Sequence, residues 1–434
     1  MLAIFIMPKK ILKFPDGFLW GAAASSHQVE GGNYNNWTEW ENKNARQLAE
    51  KAKVSWQKWQ LKKFPEILAP ENYISGRACD HYNRFEEDFD IAKSLGHNAH
   101  RFSIEWSRVE PEEGKFDEKE IDHYKKIISA LRKREIEPFV TLWHWTDPAW
   151  ITAKGGWENK KTIEYFSRYA EKIAASLNKE VKFWLPINEP TVYTGMSYIM
   201  GAFPPCLKNL WKANKVLNNL LSAYKSAYRI IHGLNASAMV GNAYNLHYHL
   251  PFRRWHPIDK FLCKLLHYIR DTRPLNKTKK CEDFIGLNYY FLDTIKFSLK
   301  GGYFFIAEMA NPHKNVSDLN WDICPEGIYH LLLYLKKFKK PIYITENGLA
   351  DKFDEKRGEF IKSHLLWIYQ AIKKGADVRG YLHWSLLDNF EWDKGFWPRF
   401  GLVEINYKTL ERKIRPSAKI YAEICKNNGL EYEE

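Results

Sequence analysis

Pro341-Ile342-Tyr343-Ile344-Thr345-Glu346-Asn347-Gly348 is a short β-type run that ends in a carboxylate, an amide and a glycine. β-Branched and aromatic residues suit an extended, buried segment, and glycine permits a sharp turn into the next loop. Seven further runs have this form, at residues 19–24, 99–104, 138–143, 182–187, 239–243, 284–289 and 379–384. Between them lie helical patterns, at residues 117–134, 161–177, 213–231, 325–338 and 359–374.

Buried strands that alternate with helices indicate parallel β/α units. Eight such units close a barrel. The expected fold is α/β, a single (β/α)8 TIM barrel with loop insertions at its C-terminal face. It takes in residues 1–434, with residues 1–13 as a peripheral extension. Length alone would allow two or three domains, but one such barrel can exceed roughly 400 residues. An open doubly wound sheet would need a Gly-rich phosphate turn after an early strand, and none is present.

Each run ends in polar residues: Gln28 and Glu30, Ser103 and Glu105, His144, Asn188-Glu189, Asn242 and Asn245, Asn288 and Tyr290, Glu346-Asn347, then Ser385 and Asp388-Asn389. Helix capping explains one or two such endings. It explains poorly a set that includes Glu, His and Tyr. Polar groups at the C-terminal ends of barrel strands converge on one site. In Trp184-Leu185-Pro186-Ile187-Asn188-Glu189-Pro190, proline stops the fourth strand just after a second carboxylate. Strands four and seven lie three apart around eight, so Glu189 and Glu346 are expected to face one another across the mouth. Carboxyls about 5–5.5 Å apart suit double displacement at an anomeric carbon, whereas about 6.5–9.5 Å suits inversion.

Other segments carry a specific resemblance. They are Phe14-Pro15-Asp16-Gly17-Phe18-Leu19-Trp20-Gly21, Gln28-Val29-Glu30-Gly31, Arg101-Phe102-Ser103-Ile104 and Thr141-Leu142-Trp143-His144-Trp145. Asn188-Glu189-Pro190, Asn288-Tyr289-Tyr290, Ile344-Thr345-Glu346-Asn347-Gly348 and Trp384-Ser385-Leu386-Leu387-Asp388-Asn389-Phe390-Glu391-Trp392 follow. Over nearly its whole length the chain resembles glycoside hydrolase family 1, the β-glucosidase/β-galactosidase family. The resemblance implies a retaining β-glycosidase with Glu189 as acid/base and Glu346 as nucleophile. Arg101 and Tyr290 would hold Glu346 ionised, and the Glu346 charge would keep Glu189 protonated. Gln28, His144, Asn188, Glu391 and Trp392 would hydrogen-bond the sugar, with Asn188 on its 2-hydroxyl and Trp384 as a stacking floor. Glu391-Trp392 favours a neutral sugar over a 6-phosphosugar, and Glu189 favours O-glycosides over thioglycosides.

A β-glucoside is the expected substrate, with β-galactosides and β-fucosides overlapping. A β-mannosidase, a transglycosidase and a non-catalytic sugar-binding barrel stay open as alternatives. The mechanism needs carboxylates and water, so no cofactor and no metal are expected. His247, His249, His256 and His267 have spacings that match no common metal pattern. They fall between Asn245 and Phe284, a stretch that is short for the family, as is the one between Tyr290 and Trp321. A shorter rim implies a more open cleft. Residues 36–59 are expected to form a loop and helix over the barrel mouth.

Aromatic residues reach 15%, with 18 Trp, which fits a site that stacks indoles on pyranose faces. The net charge of +13 would also fit a nucleic-acid binder. However, the basic runs Lys125-Lys126 and Arg132-Lys133-Arg134 read as solvated helix faces, so no nucleic-acid partner is expected. Six scattered cysteines without a C-x-x-C, no secretory signal and no membrane span lead to a cytoplasmic reading, compatible with a homo-oligomer.

Overall fold

The computed structural model describes residues 10–299, 307–309 and 315–432. Eight parallel strands close into a barrel. They are β1 (Leu19–Ala23), β2 (Ala99–Ser103), β3 (Glu137–Trp143), β4 (Phe183–Ile187), β5 (Met239–Asn245), β6 (Phe284–Asn288), β7 (Ile342–Asn347) and β8 (Val378–Trp384). β8 pairs with β1, and β6 pairs directly with β7, which completes the ring. Each strand overlaps one of the eight runs read from the sequence.

Large rings fill the N-terminal end of the barrel interior. Phe139 stacks on Phe183 with centroids 4.2 Å apart, and Phe284 and Tyr343 close over them edge-on. This cluster of rings closes the barrel interior from below, and the catalytic end of such barrels is the C-terminal one. Outside the barrel, helices such as Glu118–Lys133 and Thr162–Leu177 bury one apolar face against the strands. Asp117, just before the first of these, caps it by accepting from the Lys119 amide at 2.9 Å.

Residues Lys10–Lys13 pair antiparallel with Gly429–Tyr432, away from the barrel. The remainder of the expected N-terminal extension lies outside the described residues. Helix Asn36–Ser55 is capped by Asn35, whose side chain accepts from the Trp37 and Thr38 amides at 3.0 Å. It brings Trp37 to within 4.6 Å of Trp392 at the mouth.

The segment after β5 forms a strand, Tyr248–Pro251, and helices from Pro257 to Thr278. That strand joins Leu292–Phe297 and Ala307–Met309 in a small sheet on the rim. Part of the second stretch that looked short lies outside the described residues. The histidines here face carboxylates: His247 pairs with Asp293 at 2.9 Å and His267 with Asp271 at 2.9 Å. Among the described residues, no cluster of three or more such side chains could hold a metal ion. Nor is any described helix long and apolar enough to cross a membrane.

Gly348 differs from its expected role. Its backbone is not left-handed; instead a Cβ there would lie 1.8 Å from the Trp384 carbonyl oxygen. Glycine is needed for the close approach of β7 and β8, not for a turn conformation.

Candidate active site

Glu189 and Glu346 line one cleft of about 330 Å³ at the C-terminal end of the barrel, and each is 3% exposed. Two backbone irregularities aim them. Glu189 has left-handed dihedrals, φ 43° and ψ 61°, between the end of β4 and helix Pro190–Gly195. A non-glycine residue there is strained and persists only where its surroundings over-determine it. In β7 the pairing shifts register between Ile344 and Glu346. Such a bulge re-aims side chains. Thr345 turns to Asn288, whereas Glu346 faces the cleft.

The two carboxyls have different neighbours. Glu346 is held by the Arg101 guanidinium, and the Tyr290 hydroxyl donates to it at 2.6 Å. Arg101 also donates to Thr141 at 3.0 Å and to Asn188 at 2.6 Å, which locks it in place. Glu189 touches only neutral donors, the amides of Asn288 at 2.7 Å and Asn245 at 3.0 Å.

Burial raises the Glu189 pKa to about 8, with the Glu346 charge as the second cause. The sequence reading put that charge first; desolvation is the larger effect because the site is closed. Burial also raises Glu346, but Arg101 and Tyr290 act against it. The pair titrates as a unit. Arg101 and Tyr290 favour the ionised form of Glu346, whereas Glu189 has no cation of its own. In one cleft, a carboxylate can attack an electrophilic carbon while a neutral carboxyl protonates what leaves it.

Gln28, His144, Tyr290, Trp384, Glu391 and Trp392 line the same cleft. Arg101 and Asn188 do not line it; both are wholly buried below it. Asn188 spends its side chain on Arg101 and on His144 Nε2 at 3.0 Å. Nε2 therefore accepts, the proton sits on Nδ1, and that buried N–H has no protein acceptor among the described residues. Burial and the Arg101 charge keep this ring neutral. Gln28 donates to Phe390 O at 2.7 Å and Asn389 at 3.0 Å, and its Oε1 accepts from the Ser25 hydroxyl at 2.6 Å, which leaves one Oε1 lone pair for a ligand. Glu391 is raised to about 8, mainly by burial and then by Asp393, so it too is neutral near pH 7.

Glu30, Glu105 and Asp388 do not line the cleft, whereas Asn245 does. Glu30 binds Arg108 and Tyr124, Glu105 holds Ser26 and Thr146, and Asp388 is gripped by Arg415 at 2.7 Å and Arg399 at 3.2 Å. These carboxylates brace the loops that carry the site. Sequence reasoning missed Asn245 and Asn288 as Glu189 partners. Their positions at the ends of β5 and β6 were the available signal. Trp145, at the end of β3, also lines the cleft and donates to Asn188 O at 3.0 Å.

The sequence model described as Glycosyl hydrolase family 1 matches residues 11–260 and 266–430. The chain is 35% identical to Beta-glucosidase A of Acetivibrio thermocellus, over 96% of this chain and 99% of that protein. Among solved structures it is similar to a beta-glycosidase from Pyrococcus horikoshii, with TM-score 0.86 and 37% identity, over 97% of this chain and 96% of that one. The beta-glucosidase from Thermotoga maritima in complex with glucoimidazole superposes with TM-score 0.85 at 29% identity, over 96% of this chain and 100% of that one.

Proposed function

The chain belongs to glycosyl hydrolase family 1, and on that premise we propose that Glu346 and Glu189 carry out its reaction as nucleophile and acid/base on β-glucosides. It is a retaining β-glycosidase. In the proposed first step, a Glu346 oxygen bonds to the anomeric carbon as the bond to the glycosidic oxygen breaks, and Glu189 gives that oxygen its proton. The leaving group departs as an alcohol. Esterification of Glu346 removes the charge that helped to raise Glu189, so Glu189 becomes a base. In the second step it takes a proton from water, whose oxygen attacks the same carbon and frees Glu346.

The observation that carries this reading is the asymmetry of the pair: a cation and a phenol on Glu346, only amides on Glu189. Arg101 and Tyr290 act by holding Glu346 ionised, and Asn188 by fixing Arg101. Around them Gln28, His144, Glu391 and Trp392 would bind hydroxyls, and Trp384 would form the apolar floor. The neutral Glu391, which can donate as well as accept, favours a neutral sugar. The name of the Acetivibrio thermocellus relative supports glucose as the first choice; the proposal takes in galactosides and fucosides as overlapping substrates. The free thiols fit a cytoplasmic enzyme.

A panel of 4-nitrophenyl β-D-glucoside, galactoside, fucoside and mannoside tests this. Turnover should be fastest on the glucoside, and NMR should show the β-anomer as the first product. Release of the α-anomer first would overturn double displacement, and a mannoside preference would overturn the substrate assignment.

A bell-shaped dependence of kcat/KM on pH is also expected, because that ratio reports the free enzyme. As pH falls, Glu346 takes up a proton and loses nucleophilicity. As pH rises through the Glu189 pKa, about 8, the acid is lost. A profile flat through this alkaline range, with chemistry rate-limiting, would remove Glu189 from the acid role.

A further inference from the structure

The pairing of β7 with β6 sets Ile344 opposite Leu287 and Glu346 opposite Asn288, so Thr345 is the extra residue of the bulge. Its side chain is fully buried, and its hydroxyl donates to Asn288 Oδ1 at 2.6 Å. Gly286, two residues before Asn288, leaves room for that hydroxyl: a Cβ there would lie 3.0 Å from Thr345 Oγ1. The reaction as proposed gives this bond no task.

The surroundings fix which way round the Asn288 amide lies. Its Nδ2 donates to Glu189 Oε1 at 2.7 Å and lies 3.5 Å from Asn188 Oδ1. That Asn188 oxygen accepts from Arg101, a side chain that can only donate. A reversed amide would set oxygen against oxygen there. Asn245 Nδ2 donates to the same Oε1 at 3.0 Å. A carbonyl oxygen has two lone pairs, so the two amides fill Oε1 and leave the acid proton to Oε2.

We propose that Thr345 is a positioning residue for the acid: by holding Asn288 it keeps both amides on Glu189 Oε1 and the proton on Oε2, directed at the glycosidic oxygen. The proposal rests on Glu189 being the acid/base. In the first step the Oε2–H bond breaks and the proton bonds to the glycosidic oxygen. That oxygen keeps the electron pair of its bond to the anomeric carbon, and a Glu346 oxygen bonds to the carbon instead. Without the Thr345 hydroxyl, Asn288 can turn its own Oδ1 to Glu189 and accept the proton, which then points away from the substrate. A hydrogen bond from the neutral carboxyl also keeps it protonated to higher pH. Glu346, Arg101, Tyr290 and Glu391 are charged or titratable groups around Glu189, and a change at Thr345 removes none of them.

The test measures kcat/KM of Thr345→Val, close to threonine in shape, on phenyl and 2,4-dinitrophenyl β-D-glucosides across pH. On the phenyl glucoside, which needs the proton, a loss of about three- to tenfold is expected, the size of one hydrogen bond. On the dinitrophenyl glucoside the loss should be under about twofold, because its leaving group needs no proton. The alkaline limb of the phenyl profile should move up by about half a pH unit. Thr345→Ser, which keeps the hydroxyl, should restore both the rate and the limb. Should the valine variant fail to fold by circular dichroism, Thr345→Ala removes the same hydroxyl without an added methyl. Equal losses on both substrates, an unmoved limb, or a serine variant as impaired as valine would overturn the proposal. If Glu189→Gln in turn lost no more on the phenyl than on the dinitrophenyl glucoside, the acid/base reading beneath it would fall.

Discussion

Glu346→Ala should lower kcat on 4-nitrophenyl β-D-glucoside by on the order of 10⁴-fold or more, because no covalent intermediate can form without the nucleophile. Added azide should restore part of the rate. The small anion would occupy the space left by the carboxylate and attack from the same face. Its nitrogen bonds to the anomeric carbon as the nitrophenolate leaves, and the product is an α-glycosyl azide. The same deletion leaves the buried Arg101 guanidinium without its carboxylate, and breaking a buried pair costs about 3–5 kcal/mol. Glu346→Gln, which keeps the shape and an acceptor for Arg101, is the companion variant, and circular dichroism checks both. Native-like turnover in either folded variant would refute the nucleophile assignment.

Glu189→Gln is expected to reduce kcat/KM by about 10²–10⁴-fold on a glucoside with a poor leaving group. The loss should shrink on a dinitrophenyl glucoside, whose leaving group needs no proton. The alkaline limb of the pH profile should disappear with the group that produces it. Azide should act on the second step of a Glu189→Ala variant, by attacking the glycosyl ester of Glu346, and give the β-glycosyl azide. The anomeric configuration of the azide thus tells the two glutamates apart. An α-azide from the Glu189 variant, or an alkaline limb that survives the substitution, would exchange or abolish the assigned roles. Asn245 and Asn288 lose an acceptor in the alanine variant but keep it in the glutamine variant, so the latter is the cleaner measure of proton transfer.

The sequence was most legible where the physics is local. The run before Glu346 is a strand because Ile342, Tyr343 and Ile344 prefer a pleated, buried environment, and the same preference marked the other seven. Counting them was enough to expect a closed barrel, and barrel geometry then put Glu189 and Glu346 at one mouth. The site was less legible where side-chain direction depends on an irregularity. Nothing in Thr345-Glu346-Asn347 announces the bulge that turns Glu346 inward, and only Pro190 hints at the left-handed backbone of Glu189. Glu30, Glu105 and Asp388 also follow barrel strands, yet they are used by Arg108, Ser26 and Arg415 rather than by a substrate. Asn188, read as touching the sugar, also accepts from Arg101 and donates to His144, contacts that its sequence position did not announce.

By itself, then, the order of residues determined the eight barrel strands, their parallel sense and the two carboxylates at strands four and seven. Those features follow from periodicity and strand-end chemistry, which neighbouring residues settle among themselves. Only the tertiary structure decided which groups surround each carboxyl and which polar side chains open onto the cleft. Desolvation and charge act through space. The burial that lifts Glu189, and the Arg101 and Tyr290 that steady Glu346, come from strands far apart in the chain.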